Sequence, residues 1–244
     1  MTIYDAHTHI GTNSTADQTP VELQIGELKI IGIHKAVAAP KESVLAATAD
    51  ELIRGNRDIL ELYEKYPEFI YPGASVNPLF PAESLEALQE FHRRGLVWAG
   101  EWVHYNCEID YDQPQWEKLF DFCAEHNMIV QLHNHVSVAK IARRYPQLDI
   151  VAAHLYPEVL QLLTDLPNVI VDICGCNGGL CRNFLTDAKA MFGYQRLMFS
   201  SDFPIYDAEP YICRVKRAFP LEEQQKAVFS GNLKRLFKKH GVDF

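Results

Sequence analysis

Short apolar runs and longer amphipathic stretches alternate along this chain from end to end. The runs are Ile3-Tyr4-Asp5-Ala6, Ala36-Val37-Ala38-Ala39, Phe69 to Val76, Val97 to Trp102, Met128 to Leu132, Leu148 to Ala153, Val169 to Ile173 and Leu197 to Ser200. Such short, nearly continuous apolarity predicts parallel strands buried on both faces. Between the runs the period changes. Trp116, Leu119, Phe120 and Cys123 fall at i, i+3, i+4 and i+7 behind Pro114, one face of a helix. Leu52, Ile59, Leu60 and Tyr63 repeat that face, as do Val159, Leu160, Leu163 and Leu166. Pro40, Pro78, Pro146, Pro157, Pro167, Pro204 and Pro220 punctuate the boundaries. Strand then helix, eight times over, predicts an α/β fold: a (β/α)8 TIM barrel formed as a single domain over residues 1–244. The alternative is a doubly wound open sheet. It would usually carry a glycine-rich phosphate turn after an early strand, and none is visible.

Composition narrows the partners. The chain has 48% hydrophobic and 23% charged residues, ample for a large core and without a signature of disorder. Its 32 acidic and 23 basic residues give a net charge of -9, which makes nucleic acid an unfavoured partner. A small anionic substrate held by a metal stays compatible with that charge. No run approaches the roughly 20 apolar residues that span a bilayer, so no membrane role is expected. The N-terminus lacks a basic-then-apolar leader pattern, and a cytoplasmic location is the expectation. Six cysteines in such a chain read as reduced thiols; Cys174, Cys176 and Cys181 lack the second CxxC-like pair of a zinc cluster. The pattern leaves room for a homo-oligomer.

Candidate chemistry sits where the strands end. His7 and His9 close the first run, Glu101 the fourth, His133 the fifth, His154 the sixth and Asp202 the eighth. In a TIM barrel the active site is assembled at that same rim, from several strand ends. Residues i and i+2 of a strand share a face, so His7 and His9 can point at one ion. Taken singly, a histidine after a strand is most often a packed or surface residue. Six candidates on five strands, all at one end, point instead to a metal centre. Imidazole and carboxylate ligands without thiolate suit zinc above all, with manganese, iron, cobalt and nickel as alternatives, as one ion or two. Asp202 can take a proton from water at such a centre, and His154 can serve as a second base or as a hydrogen-bond donor to the attacked oxygen.

These residues lie in fragments that resemble the amidohydrolase superfamily. Asp5-Ala6-His7-Thr8-His9 resembles its opening DxHxH signature. Val151-Ala152-Ala153-His154-Leu155 is similar to its sixth-strand histidine, and Phe199-Ser200-Ser201-Asp202-Phe203-Pro204 to its eighth-strand aspartate. Gly231-Asn232-Leu233-Lys234-Arg235-Leu236-Phe237 resembles the helix that closes many members. Tyr66-Pro67-Glu68-Phe69 and Gly73-Ala74-Ser75-Val76-Asn77-Pro78 resemble the third unit of the amidohydrolase 2 branch, which includes metal-dependent decarboxylases. One departure stands out: no lysine occupies the fourth-strand place where many relatives bridge two metals. Ala99-Gly100-Glu101-Trp102 is similar instead to the motif of TatD-type deoxyribonucleases, whose glutamate is a metal ligand. The resemblance implies an enzyme holding its metal through His7, His9, Glu101, His133, His154 and Asp202. Hydrolysis of an amide, ester or lactone in a small molecule is the expected reaction. Decarboxylation of a carboxylated substrate and phosphoester cleavage are the alternatives. Lys41, Asn77, Trp102, His104, Tyr105, Asn106, Asn134, His135, Tyr156, Asn177 and Arg182 are the expected substrate-facing residues, while Asp172 reads as structural.

Overall fold

Each apolar run becomes a strand, and each amphipathic stretch a helix laid against its outer face. The protein is described here by a computed structural model covering residues 1–11, 19–175 and 182–244. The strands are β1 (Ile3–Thr8), β2 (Ile33–Ala38), β3 (Ile70–Pro72), β4 (Trp98–Trp102), β5 (Ile129–His133), β6 (Ile150–Ala153), β7 (Val169–Asp172) and β8 (Leu197–Met198). The first helices are α1 (Val21–Ile30), α2 (Lys41–Val44), α3 (Ala49–Lys65), α4 (Pro81–Arg93) and α5 (Glu117–Glu125). After them come α6 (Val136–Arg144), α7 (Pro157–Leu163), α8 (Phe184–Phe192), α9 (Ala208–Ala218), α10 (Glu222–Lys226) and α11 (Asn232–Lys239).

The strands pair in parallel as β1-β2-β3 and β4-β5-β6-β7-β8. Two seams close these ladders into a ring. Ala74 N donates to Trp98 O at 3.0 Å and Gly100 N to Ala74 O at 2.8 Å, joining β3 to β4. Ala6 N donates to Phe199 O at 3.0 Å and Asp202 N to His7 O at 2.9 Å, joining β8 to β1. The TIM barrel expected from the alternation is therefore present.

The helical faces read from the sequence pack as expected. Trp116, Leu119, Phe120 and Cys123 are buried under α5, and Leu52, Ile59 and Leu60 under α3. Each such leucine contributes roughly 1.5–3 kcal/mol through burial. Thr48 opens α3 with a capping box: Glu51 N donates to Thr48 Oγ1 and Thr48 N to Glu51 Oε2. Strand alternation then decides what faces inward. Glu101 points into the barrel mouth, whereas Trp102, one residue on, points out and stacks on Trp116 at 5.9 Å.

Among the described residues no helix is long and apolar enough to cross a membrane. Cys107, Cys123 and Cys174 are buried free thiols and Cys213 an exposed one. Cys176, Asn177 and Cys181 lie outside the described residues.

Candidate metal centre

His7 sits within β1, His9 just past it, Glu101 in β4, His133 at the end of β5, His154 just past β6 and Asp202 on the turn after β8. The barrel closes these strand ends onto one another, and the side chains converge. His7 Nε2 lies 3.2 Å from His9 Nε2, 3.4 Å from Glu101 Oε2 and 3.6 Å from Asp202 Oδ1. His9 Nε2 is 3.6 Å from Glu101 Oε2 and 3.0 Å from Asp202 Oδ1. Ligand atoms about 2.0–2.2 Å from one ion, at angles near 90–120°, stand roughly 3.0–3.7 Å apart. The distances among His7, His9 and Glu101, and from Asp202 to the two imidazoles, match that spacing. The other oxygen, Glu101 Oε1, faces His133 Nδ1 at 2.9 Å and His154 Nε2 at 3.3 Å. One carboxylate thus stands between two groups of imidazoles.

The surroundings fix how these rings are presented. His9 Nδ1 faces Ala39 O at 2.7 Å and His7 Nδ1 faces Asp172 Oδ2 at 3.0 Å, so each Nε2 is turned to the cluster. His154 adopts φ 71° and Asp202 φ 63°, left-handed conformations that cost of order 1–3 kcal/mol and concentrate at functional sites. Gly175, also left-handed at φ 72°, packs against the His154 ring, where any Cβ would collide.

Charge sharpens the picture. Glu101 and Asp202 are buried, and among the described residues their ion pairs are all with histidine, none with Lys or Arg. Burial pushes the Glu101 carboxyl up, yet His7, His133 and His154 hold it well below the usual range. Burial pulls His7 and His154 down, but Cys174 and Glu101 beside both rings, with Asp172 beside His7, raise each well above an ordinary imidazole. The site demands positive charge, and a divalent cation answers that demand better than two trapped protons.

A cavity of about 190 Å³ opens over the cluster, lined by His9, Glu101, His133, His154 and Asp202 together with Lys41, Tyr105, Tyr156 and Tyr206. A larger cleft of about 570 Å³ lies outside the barrel between α3 and α4 and contains none of these residues. The candidate ligands lie at the smaller one. Lys41, Tyr105 and Tyr156 reach it as expected.

Other expected substrate contacts do not. Trp102 is core, its indole donating to Ala74 O at 3.1 Å. Asn77 Nδ2 and Asn106 Nδ2 both donate to Ala46 O, clamping loops together. Asn134 Nδ2 donates to His154 O at 3.1 Å. His104 and His135 stack on each other at 4.1 Å beside His133, outside the cavity lining. Burial and the neighbouring His135 and His133 push His104 down to about 4. Arg182 lines a separate cleft with Arg214 and Arg217.

Four residues around the site were not read as functional: Gln131, Asp172, Cys174 and Gly175. Asp172 offers the one usable sequence signal, an acid ending an apolar run like the candidate ligands.

Comparison with known proteins gives the family and the fold. The Amidohydro_2 model, described as amidohydrolase, matches residues 4–239, and the chain belongs to that family. It is an enzyme of that superfamily, and family and ligand cluster together support a bound divalent metal. Among solved structures it is similar to a 2,6-dihydroxybenzoate decarboxylase from Rhizobium, at 16% identity and TM-score 0.75 over 98% of this chain and 99% of that one. It is also similar to a probable 2-pyrone-4,6-dicarboxylic acid hydrolase from Acinetobacter baumannii with citric acid bound, at 19% identity, TM-score 0.71 and 98% and 100% coverage. A dihydroxybenzoic acid decarboxylase from Polaromonas sp. JS666, with bound manganese and 2-nitroresorcinol, matches at 16% identity, TM-score 0.72 and 97% of each chain. No curated protein matches the sequence significantly.

Proposed function

We propose that the chain is a zinc-dependent hydrolase that cleaves an amide, ester or lactone bond in a small molecule bearing a carboxylate. The observation that carries this reading is Asp202. Its Oδ1 faces the imidazoles of His7 and His9, and the residue lines the cavity. Such a carboxylate can accept a proton from an attacking water and return it to the leaving group, help worth about 10²–10⁴ in rate. When bound, a divalent ion would supply Lewis acidity and make water a better nucleophile near neutral pH. His7, His9, Asp202 and Glu101 Oε2 would hold one ion; His133, His154 and Glu101 Oε1 would hold a second. The donor set contains no thiolate, which suits zinc, although manganese occupies a similar structure. Lys41 is the one Lys or Arg among the described residues lining the cavity, and it would pair with a substrate carboxylate.

A second reading, non-oxidative decarboxylation, is favoured by the similar structures named as dihydroxybenzoate decarboxylases. The separating experiment measures metal content, then product, on a panel of lactones, amides and carboxylated aromatics. Wild type should carry two ions and Glu101→Gln one, with hydrolysis of a panel member and no released CO2. Metal-free protein that cannot be reconstituted would overturn the metal reading; CO2 release would transfer the assignment to decarboxylation.

A further inference from the structure

Asp172 is the most heavily engaged buried side chain in the barrel mouth. Its Oδ2 faces His7 Nδ1 at 3.0 Å and accepts from Gln131 Nε2 at 2.9 Å. Its Oδ1 accepts from His154 N at 3.0 Å, Ser200 Oγ at 3.1 Å and Cys174 Sγ at 3.2 Å. The donors come from β1, from β5 and from the segments after β6, β7 and β8. The Gln131 amide nitrogen and the His154 backbone nitrogen can only donate, so the carboxylate answers as an acceptor on both oxygens. His7 must then present its proton on Nδ1. Its Nε2 is left with a lone pair among His9, Glu101 and Asp202.

We infer that Asp172 is the positioning residue of the metal centre: it selects the tautomer of His7, aims its Nε2 and so sets metal affinity, without touching the ion. The hydrogen bond to His154 N adds a second link, since it holds the left-handed turn that carries the other imidazole. This inference rests on the metal-centre reading above and deepens it. Asparagine is the informative replacement. It keeps the size but offers one acceptor where five donors now converge on two, and its NH2 would face a ring nitrogen or Gln131.

The test is the zinc dissociation constant of wild type, Asp172→Asn and Ser200→Ala, measured by chelator competition beside melting temperature. Asp172→Asn should bind zinc about 10–100-fold more weakly while reaching the same stoichiometry at saturation. Ser200→Ala strips a donor from Asp172 and removes the acceptor of Ile173 N and Cys174 N. It should melt earlier yet keep its zinc affinity within about threefold, since His7 keeps its partner. Asp172→Asn within about threefold of wild type, or equal losses in the two variants, would leave Asp172 a packing role and overturn the inference. If Asp172→Asn does not fold, histidine nitrogen NMR of zinc-loaded wild type decides: protonated Nδ1 with zinc on Nε2 of His7 is expected, and zinc on Nδ1 overturns it. Wild type that takes up no zinc sinks the metal-centre reading, whereas normal wild-type uptake with an indifferent Asp172 sinks this inference alone.

Discussion

Two buried histidine–aspartate pairs stand at opposite ends of the barrel, and they do different work. At the end where the strands begin, His240 Nε2 faces Asp149 Oδ2 at 2.8 Å and its Nδ1 faces Asn127 O at 2.6 Å. Lys239 closes on the same carboxylate at 2.7 Å. Every polar atom of that imidazole has an oxygen partner, and the pair ties α11 to the entry of β5 and β6. At the other end, His7 Nδ1 faces Asp172 at 3.0 Å, but its Nε2 looks at another imidazole and two carboxylates. Both histidine side chains are equally hidden, at 1% exposure, so burial does not separate them. What separates them is whether the second nitrogen is already answered. A closed histidine is a fastener; an open one surrounded by acids is free to act as a ligand.

The comparison breaks most sharply at Asp202. Asp202→Asn keeps the volume and one acceptor but cannot take a proton, so turnover of the panel substrate should fall about 10²–10⁴-fold in metal-saturated protein. The fold should persist, because Asp202 closes the β8–β1 seam through its backbone nitrogen. A metal-loaded variant within about threefold of wild-type rate would move the base to His154. At the opposite end the effect should appear in stability only. His240→Ala leaves Asp149 and Asn127 O short of a donor, a loss of about 1–3 kcal/mol visible as a lower melting temperature. Its metal content and rate should match wild type. A change in either would mean that the two ends are coupled and the contrast drawn above is false.

The same contrast explains what was legible in the sequence. Apolar runs alternating with helical faces gave all eight strands, because that periodicity is local and survives without knowledge of neighbours. The pair His7 and His9 was legible for the same reason, being two residues apart on one strand. Strand ends then placed Glu101, His133, His154 and Asp202 on the same rim. Asp172 was read only as structural, since its role depends on meeting His7, 165 positions away, across the closed ring. Gly175 and Cys174 were equally invisible, for their meaning lies in the His154 ring packed against them. Trp102 shows the opposite error. It follows the candidate ligand Glu101 in sequence, but alternation turns it outward, and the pleat rather than proximity decided its place.

Asp5 sharpens the comparison from a third direction, with the smallest expected effect. Asp149 and Asp172 are buried acids that cations or imidazoles hold low, Asp172 at about 2 despite its burial. Asp5 is just as buried, but its partners are His7 N and Ser201 N on Oδ1 and Ser201 Oγ at 2.5 Å on Oδ2. Burial outweighs those hydrogen bonds and pushes its carboxyl from 3.8 up to about 7. A folded-state value above the unfolded one means that the fold prefers the protonated acid. Its contribution is complete below 3.8 and is lost as pH rises through about 7. Asparagine reproduces the neutral form, with an acceptor for the two backbone N–H groups and a donor for Ser201 Oγ. Asp5→Asn should therefore gain on wild type as pH rises from about 5 to about 8, by roughly a few °C in melting temperature. The measurement belongs in chelator, so that metal loading does not enter, and the histidines common to both proteins cancel in the difference. A gap that stays constant across that range would show that Asp5 is ionised in the fold, held like Asp172 after all.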